Sequence, residues 1–299
     1  MSEIVALVGT TASGKSNLAI EIAKSMGGFE VINADAMQLY QGMDIGTAKL
    51  SQEEMQGIPH HLISVVSPTT DITAVEYRVM FDEVLEQIQS RGNRALVVGG
   101  STLYLASALD SLEFAPTDPA LRAKLEAESD EVDALDMHLR LRKLDPVAAE
   151  KIPAANRRRV IRALEVVMLS GKSFASSLPE PSYRRPTLQL AIDVPKEDLA
   201  RRIERRVESM WERGLVAEVD ELLQRFGKLS ATAAVAIGYK QAISQLKGEL
   251  SEEQAKEETV FLTTRYAKKQ RTWFNRDKRI HWLNPEHNLL EQALKLVRL

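Results

Sequence analysis

The stretch Ile4-Val-Ala-Leu-Val8-Gly9-Thr10-Thr11-Ala12-Ser13-Gly14-Lys15-Ser16 sets the architecture of the whole chain. Its first five residues are apolar, the pattern of a strand buried on both faces, and they run into a turn bounded by two glycines. From Lys15 the apolar spacing predicts a helix reaching about Met26. Gly9 to Ser16 fit G-x-x-x-x-G-K-[ST] at every position, between a strand and a helix, the context that gives this pattern its chemistry. The glycines let the backbone curl so that several N–H groups converge on phosphate oxygens, and the helix N-terminus adds positive partial charge. Lys15 then reaches the terminal phosphate, and the Ser16 hydroxyl ligates Mg²⁺. A polyphosphate site is therefore expected. What the phosphate is attached to is left open by the loop.

Outward from this loop the chain alternates. Val31–Asn33 is a second strand candidate, Thr73 and Glu76 form a capping box for a helix to about Ser90, and Ala95–Val98 is a strand stopped by Gly99-Gly100. That rhythm predicts an α/β fold, a parallel sheet with helices on both faces. It breaks over residues 112–186, which carry helical periodicity without a convincing strand and are flanked by Pro116, Pro119, Pro179, Pro181 and Pro186. Leu188–Asp193 looks like a return to the sheet, Ser251 caps a helix to about Phe274, and Ile280–Leu283 is a last strand. The expected organisation is a core of residues 1–111 and 187–299 with a helical insertion over 112–186.

The sheet also predicts where chemistry collects. Carboxyl ends of parallel strands gather at one edge, so Asp35, just after the second strand, falls beside the phosphate loop. There it serves as a base or caps its own loop. A motor ATPase would end a following strand in an acidic residue that helps hold Mg²⁺, but Ala95-Leu-Val-Val98 ends in Gly-Gly-Ser. The chain has 299 residues and no cysteine, which excludes a disulfide scaffold, thiolate metal ligation and a cysteine nucleophile. No apolar run approaches the ~18 residues of a membrane span, and a cytoplasmic protein is expected. The net charge of −3 argues against a nucleic-acid partner until its distribution is read. Residues His138 to Arg185 carry +7 and Arg265 to Trp282 carry +6, leaving −16 elsewhere. Two basic blocks on an acidic remainder point to an anionic partner contacted locally, unless both are merely solvated helix faces.

The stretch Asp35-Ala-Met-Gln-Leu-Tyr-Gln-Gly-Met-Asp-Ile-Gly-Thr-Ala-Lys49 is more particular than the phosphate loop. It resembles the signature of tRNA dimethylallyltransferases. Pro59-His-His-Leu62, Val97-Val-Gly-Gly-Ser101, Asp145-Pro-Val-Ala-Ala149, Arg162-Ala-Leu-Glu-Val166, Gly214-Leu-Val-Ala-Glu218, Ile237-Gly-Tyr-Lys-Gln241, Thr264-Arg-Tyr-Ala-Lys-Lys-Gln270 and Trp273 extend the resemblance along nearly the whole chain. It implies a phosphate-loop core with a helical insertion that grips the anticodon stem-loop of tRNA. It implies transfer of a dimethylallyl group from dimethylallyl diphosphate to N6 of the adenosine 3′-adjacent to the anticodon. The loop then holds the diphosphate of a prenyl donor rather than ATP.

Under that resemblance Asp35 is the general base and Thr11 assists near the donor. Gly9, Thr10, Thr11, Ala12, Ser13, Gly14, Lys15 and Ser16, together with Arg202 and Arg206, hold the diphosphate with Mg²⁺. Recognition of tRNA maps to Asp35, Ala36, Met37, Gln38, Ser101 and Arg122, and to Arg158, Arg159, Val160, Ile161 and Arg162. Lys268, Lys269, Arg271, Arg276 and Arg279 are read as contacts to the RNA backbone. Tyr40 and Trp273 are read as core residues, and His60 and His61 as structural or RNA-contacting, since neighbours in sequence point in different directions. Asp130, Asp133 and Asp136 are read as one solvated helix face. Three positions depart from the family pattern: Thr10 in place of Pro, Ala36 in place of Ser, and Ser101 in place of Thr, which keeps a hydroxyl. A monomer is expected. Two other enzymes share the loop, a transferase prenylating free AMP, ADP or ATP and a small-molecule kinase; a non-catalytic RNA-binding protein is disfavoured by Lys15, Ser16 and Asp35.

Overall fold

A computed structural model describes residues 3–174 and 182–298; Pro179 and Pro181 lie outside them. The chain divides into two compact units, residues 1–111 with 182–299, and residues 112–181.

In the first unit the strands are β1 (Ile4–Val8), β2 (Phe29–Asn33), β3 (His60–His61), β4 (Arg94–Gly99), β5 (Thr187–Ile192) and β6 (Ile280–Leu283). The described residues make one six-stranded sheet in the order β3-β2-β4-β1-β5-β6, with every pairing parallel. Its helices are α1 (Lys15–Met26), α2 (Ala74–Ser90) and α3 (Thr102–Leu109) before the second unit. The second unit holds α4 (Pro119–Glu131), α5 (Ala134–Leu144), α6 (Pro146–Lys151) and α7 (Arg157–Ser170). The chain returns through α8 (Lys196–Glu212), α9 (Leu215–Phe226), α10 (Tyr239–Leu246), α11 (Glu252–Phe274) and α12 (Leu289–Val297). Among the described residues no helix is long and apolar enough to cross a membrane.

β1 is the middle of the sheet, and all five of its residues are buried, as a strand covered on both faces requires. Each fully buried aliphatic side chain there contributes about 1.5–3 kcal/mol. α1 packs Leu18, Ala19 and Ile22 on the sheet core beside Val5, Leu7 and Val98. A separate core forms where Tyr40 and Met43 meet Val207, Trp211, Val219 and Tyr239 from α8, α9 and α10. The second unit has its own core of Leu125, Leu141, Val160 and Leu164.

β2 begins two residues earlier than the apolar pattern indicates, because Glu30 interrupts it. That carboxylate is almost fully buried, and Arg91, Asn93 and His61 all bond to it. The Arg91 guanidinium, with Asn93 and His61, outweighs the cost of burial and holds the Glu30 carboxyl down at about 2. His61 thereby serves β3, whose two residues pair with Val31 and Ile32.

The chain leaves the first unit and re-enters it at one place. The Ser111 N–H donates to Ser182 O at 2.8 Å, Arg184 N–H donates to Leu109 O at 2.9 Å, and Asp110 bridges Tyr183 in antiparallel fashion. Arg279 fastens this neck, donating to Asp110 and lying 3.9 Å from the centre of the Tyr183 ring.

Candidate functional site

The loop after β1 curls as its glycines allow: Gly9 has φ +135° and Gly14, at the N-terminus of α1, has φ +95°. Both lie where an L side chain is strained. Lys15 folds over the loop, its Nζ donating to Thr10 O at 2.5 Å and lying 3.4 Å from Ser13 Oγ. Burial pushes its ammonium down to about 8 against the upward pull of Asp35, with Arg206 lowering it further. Lys15, Ser16, Asp35, Gln38, Arg202 and Arg206 line one polar cavity of 440 Å³. Arg202 donates to Ser13 O at 3.1 Å, and Arg206 donates to Thr47 O at 3.2 Å. Two cations from one face of α8, four residues apart, therefore line the same cavity as the phosphate loop. Thr10 and Ser13 are buried, so what the loop offers at these positions is backbone.

Asp35 lies at the carboxyl edge of the sheet. Its N–H donates to Asn33 Oδ1 at 2.9 Å, and its own Oδ1 accepts the Met37 N–H at 3.0 Å, capping the short 3₁₀ turn Ala36–Leu39. Loop capping and cavity lining thus coexist in one side chain. Ser101 Oγ accepts the Ala36 N–H at 2.9 Å. Asp35, Thr11, Thr47 and Arg206 also line a second cavity of 280 Å³, whose other walls include Met37, Met210, Val235, Ile237 and Tyr266. A cationic cavity and a more apolar one thus share a wall, and Asp35 is in it.

Ser16 faces the cationic cavity. Among the described residues no group of three or more His, Cys, Asp or Glu is placed to hold a metal. One hydroxyl beside a phosphate loop suits Mg²⁺, which keeps several waters and takes its remaining oxygens from substrate phosphates.

Three residues of this site stand in stretches quoted above but have no role assigned to them by the sequence. Gln270 bridges Thr11 N–H and Gly100 O, and Tyr266, one turn earlier, faces Ser101 and Gln270. Burial and the Asp35 charge push the Tyr266 hydroxyl up to about 12. Lys49 is buried beside Asp44, Ser64 and Tyr40 O, and it braces the loop that carries Thr47. The i, i+4 spacing of Tyr266 and Gln270 is the signal that could have found the first two.

The other predicted residues divide between core, ion pairs and open surface. Val160 and Ile161 point into the core of the second unit, 1% and 9% exposed, because α7 turns that face inward. Arg122 and Arg162 both pair with the fully buried Glu165, and Arg162 also donates to Ala115 O and Pro116 O. Arg158 and Arg159 are exposed. Trp273 is not core: it is 41% exposed, in a groove with Arg265, Lys268, Lys269, Thr272 and Arg276. Tyr40 is fully buried. Arg271 pairs with Asp193 at the surface, and Arg279 pairs with Asp110 and Asp277. Asp130 and Asp133 do not share a helix: α4 ends at Glu131 and Asp133 caps α5.

Fold and loop define a phosphate-loop α/β protein. The family model described as IPP transferase matches residues 38–277. Among curated relatives, a tRNA dimethylallyltransferase of Thermobifida fusca is 46% identical, covering 99% of this chain and 95% of its own. One of Kineococcus radiotolerans is 47% identical over 94% of this chain and 90% of its own. The tRNA isopentenylpyrophosphate transferase of Bacillus halodurans superposes with a TM-score of 0.73 at 33% identity, covering 100% of this chain and 95% of that one. A eukaryotic dimethylallyltransferase solved acting on tRNA gives a TM-score of 0.82 at 27% identity, covering 100% and 79%. The chain belongs to the IPP transferase family.

Proposed function

We propose that this enzyme transfers the dimethylallyl group of dimethylallyl diphosphate to N6 of the adenosine 3′-adjacent to the anticodon in tRNA. The observation that carries the mechanism is the shared wall: Asp35, Thr11 and Arg206 line both the cationic cavity and the more apolar one. The adenine N6 lone pair is delocalised into the ring, so the amine is a weak nucleophile. In the proposed reaction N6 bonds to C1 of the dimethylallyl group, the C1–O bond breaks, and diphosphate leaves. Asp35 takes the N6 proton as the C–N bond forms. Charge gathers on the departing diphosphate, and Lys15, Arg202, Arg206 and the loop amides are aimed at it. Bound through Ser16 and the diphosphate, Mg²⁺ would neutralise part of that charge.

The apolar walls formed by Met37, Met210, Val235 and Ile237 suit the prenyl chain and the face of an unstacked base. For RNA, residues 112–181 are proposed to grip the anticodon stem-loop. Arg157, Arg158 and Arg159 open α7 in its first turn, where the helix already concentrates positive potential. The groove around Lys268, Lys269 and Trp273 adds a second contact to tRNA.

The test is mass spectrometry of tRNA nucleosides after incubation with dimethylallyl diphosphate. An N6-dimethylallyl adenosine in the anticodon loop is the expected product. Prenylation of free AMP with untouched tRNA would replace this reading by that of an adenylate isopentenyltransferase.

A further inference from the structure

Gln270 is a buried amide, 2% exposed, reaching from α11 into the gap between the loops that follow β1 and β4. Its Oε1 accepts the Thr11 N–H at 2.9 Å, and its Nε2 donates to Gly100 O at 2.8 Å. One partner can only donate and the other can only accept, so the amide has a single usable orientation. There is no slack around it. A Cβ placed on Gly100 would stand 2.4 Å from Gln270 Nε2 and 2.8 Å from Gly9 O. The residue after Thr11, Ala12, has φ +60°, a left-handed conformation that costs an L residue about 1 kcal/mol or more. Strain of this kind persists only where neighbouring structure holds it, and the bond to the Thr11 N–H acts on the adjoining peptide.

We infer that Gln270 is a positioning residue for the leaving group: through the Thr11 N–H it holds the phosphate loop in the curl that receives diphosphate. It also lines the cationic cavity, but its two hydrogen bonds go to the backbone of Thr11 and Gly100, so the role inferred for it acts through the loop. This inference rests on the reading of the loop as a diphosphate site. The helix that supplies Gln270 also presents Lys268, Lys269 and Trp273 on its outer side, so one helix shapes the donor site and carries a basic surface.

The experiment measures binding of inorganic diphosphate with Mg²⁺, and of tRNA, to the full chain by calorimetry. Gln270→Met is expected to weaken diphosphate about tenfold, with tRNA affinity within about twofold and an unchanged melting temperature. In steady state the donor KM rises while kcat is largely kept. Gln270→Glu keeps the acceptor for Thr11 but, when ionised, loses the donor to Gly100. Its deficit relative to wild type therefore shrinks as pH is lowered and the buried carboxyl takes up a proton. Should Gln270→Met fail to fold, that pH profile decides alone. Unchanged diphosphate affinity in both variants, or equal loss of diphosphate and tRNA affinity with a lowered melting temperature, overturns the inference. Absence of diphosphate binding in wild type and in Lys15→Met alike overturns the reading of the loop itself, and the inference with it.

Discussion

The hydroxyl of Ser101 accepts the backbone N–H of Ala36 at 2.9 Å, so the end of β4 holds the residue that follows Asp35. Asn33 fixes the Asp35 N–H and the Met37 N–H fixes its carboxylate, so three bonds aim one side chain. Ser101→Ala removes one of them, a loss of about 1 kcal/mol. It is expected to lower kcat by about fivefold with little change in tRNA affinity, and Ser101→Thr is expected to restore the rate. Single-turnover kinetics with saturating tRNA makes the comparison; an alanine variant as fast as wild type rejects the anchoring role.

Asp35→Asn keeps the shape and the cap on the Met37 N–H but cannot accept a proton. It should reduce turnover by roughly 10²–10⁴ while sparing tRNA binding. Turnover at the wild-type level would remove Asp35 as the base.

Lys15 makes a prediction in pH. Burial lowers its ammonium to about 8 in the folded chain against an ordinary 10.5, so between these values the unfolded chain binds more protons. Stability should rise with pH across that window relative to Lys15→Met, and level off above it. Diphosphate needs the charged ammonium, so its binding at pH 9 should be accompanied by proton uptake. Calorimetry in buffers of differing ionisation enthalpy measures this, and zero uptake refutes the assignment.

Glu165 anchors the second unit. Burial raises its carboxyl, but Arg122, Thr117 and Arg162 together overcome that and hold it at about 2. Its stabilisation is therefore full at neutral pH and lost as pH falls from the ordinary carboxyl range through about 2. Glu165→Gln leaves two arginines facing a neutral amide and should destabilise this unit by about 3 kcal/mol. Chemical denaturation of wild type and variant would show it; an equal midpoint in both denies the anchor.

The outer basic surfaces are tested by salt. Reversing charge at Arg158 and Arg159 should weaken tRNA binding and flatten its dependence on ionic strength. Trp273→Ala should weaken it about tenfold with the salt slope unchanged, because stacking releases no counterions. A slope altered by Trp273→Ala and untouched at Arg158 and Arg159 would invert these roles.

The sheet is legible where apolar runs are unbroken, since Ile4–Val8 and Ala95–Val98 lie in β1 and β4, and Ile280–Leu283 lies in β6 although His281 interrupts it. β3 is not, since two histidines carry no alternation and exist as a strand only because Val31 and Ile32 offer them an edge. The phosphate loop and Asp35 are legible because local spacing and sheet topology suffice to bring them together. Gln270 is not, because its partners Thr11 and Gly100 are remote in sequence and only the packing of α11 unites them. The exposure of Trp273 is not legible for a related reason: an aromatic residue in a helix resembles core, and only the packing puts it beside a cationic surface.

At the neck, Asp110 and Tyr183 return the chain to the point from which it departed. For the sheet, whatever is strung between them is a loop whose ends are already tied. The pairing of β1 with β4 and β5 uses no residue of that loop. The part of the chain that carries the phosphate loop and Asp35 is thus closed on itself without the stretch between Asp110 and Tyr183.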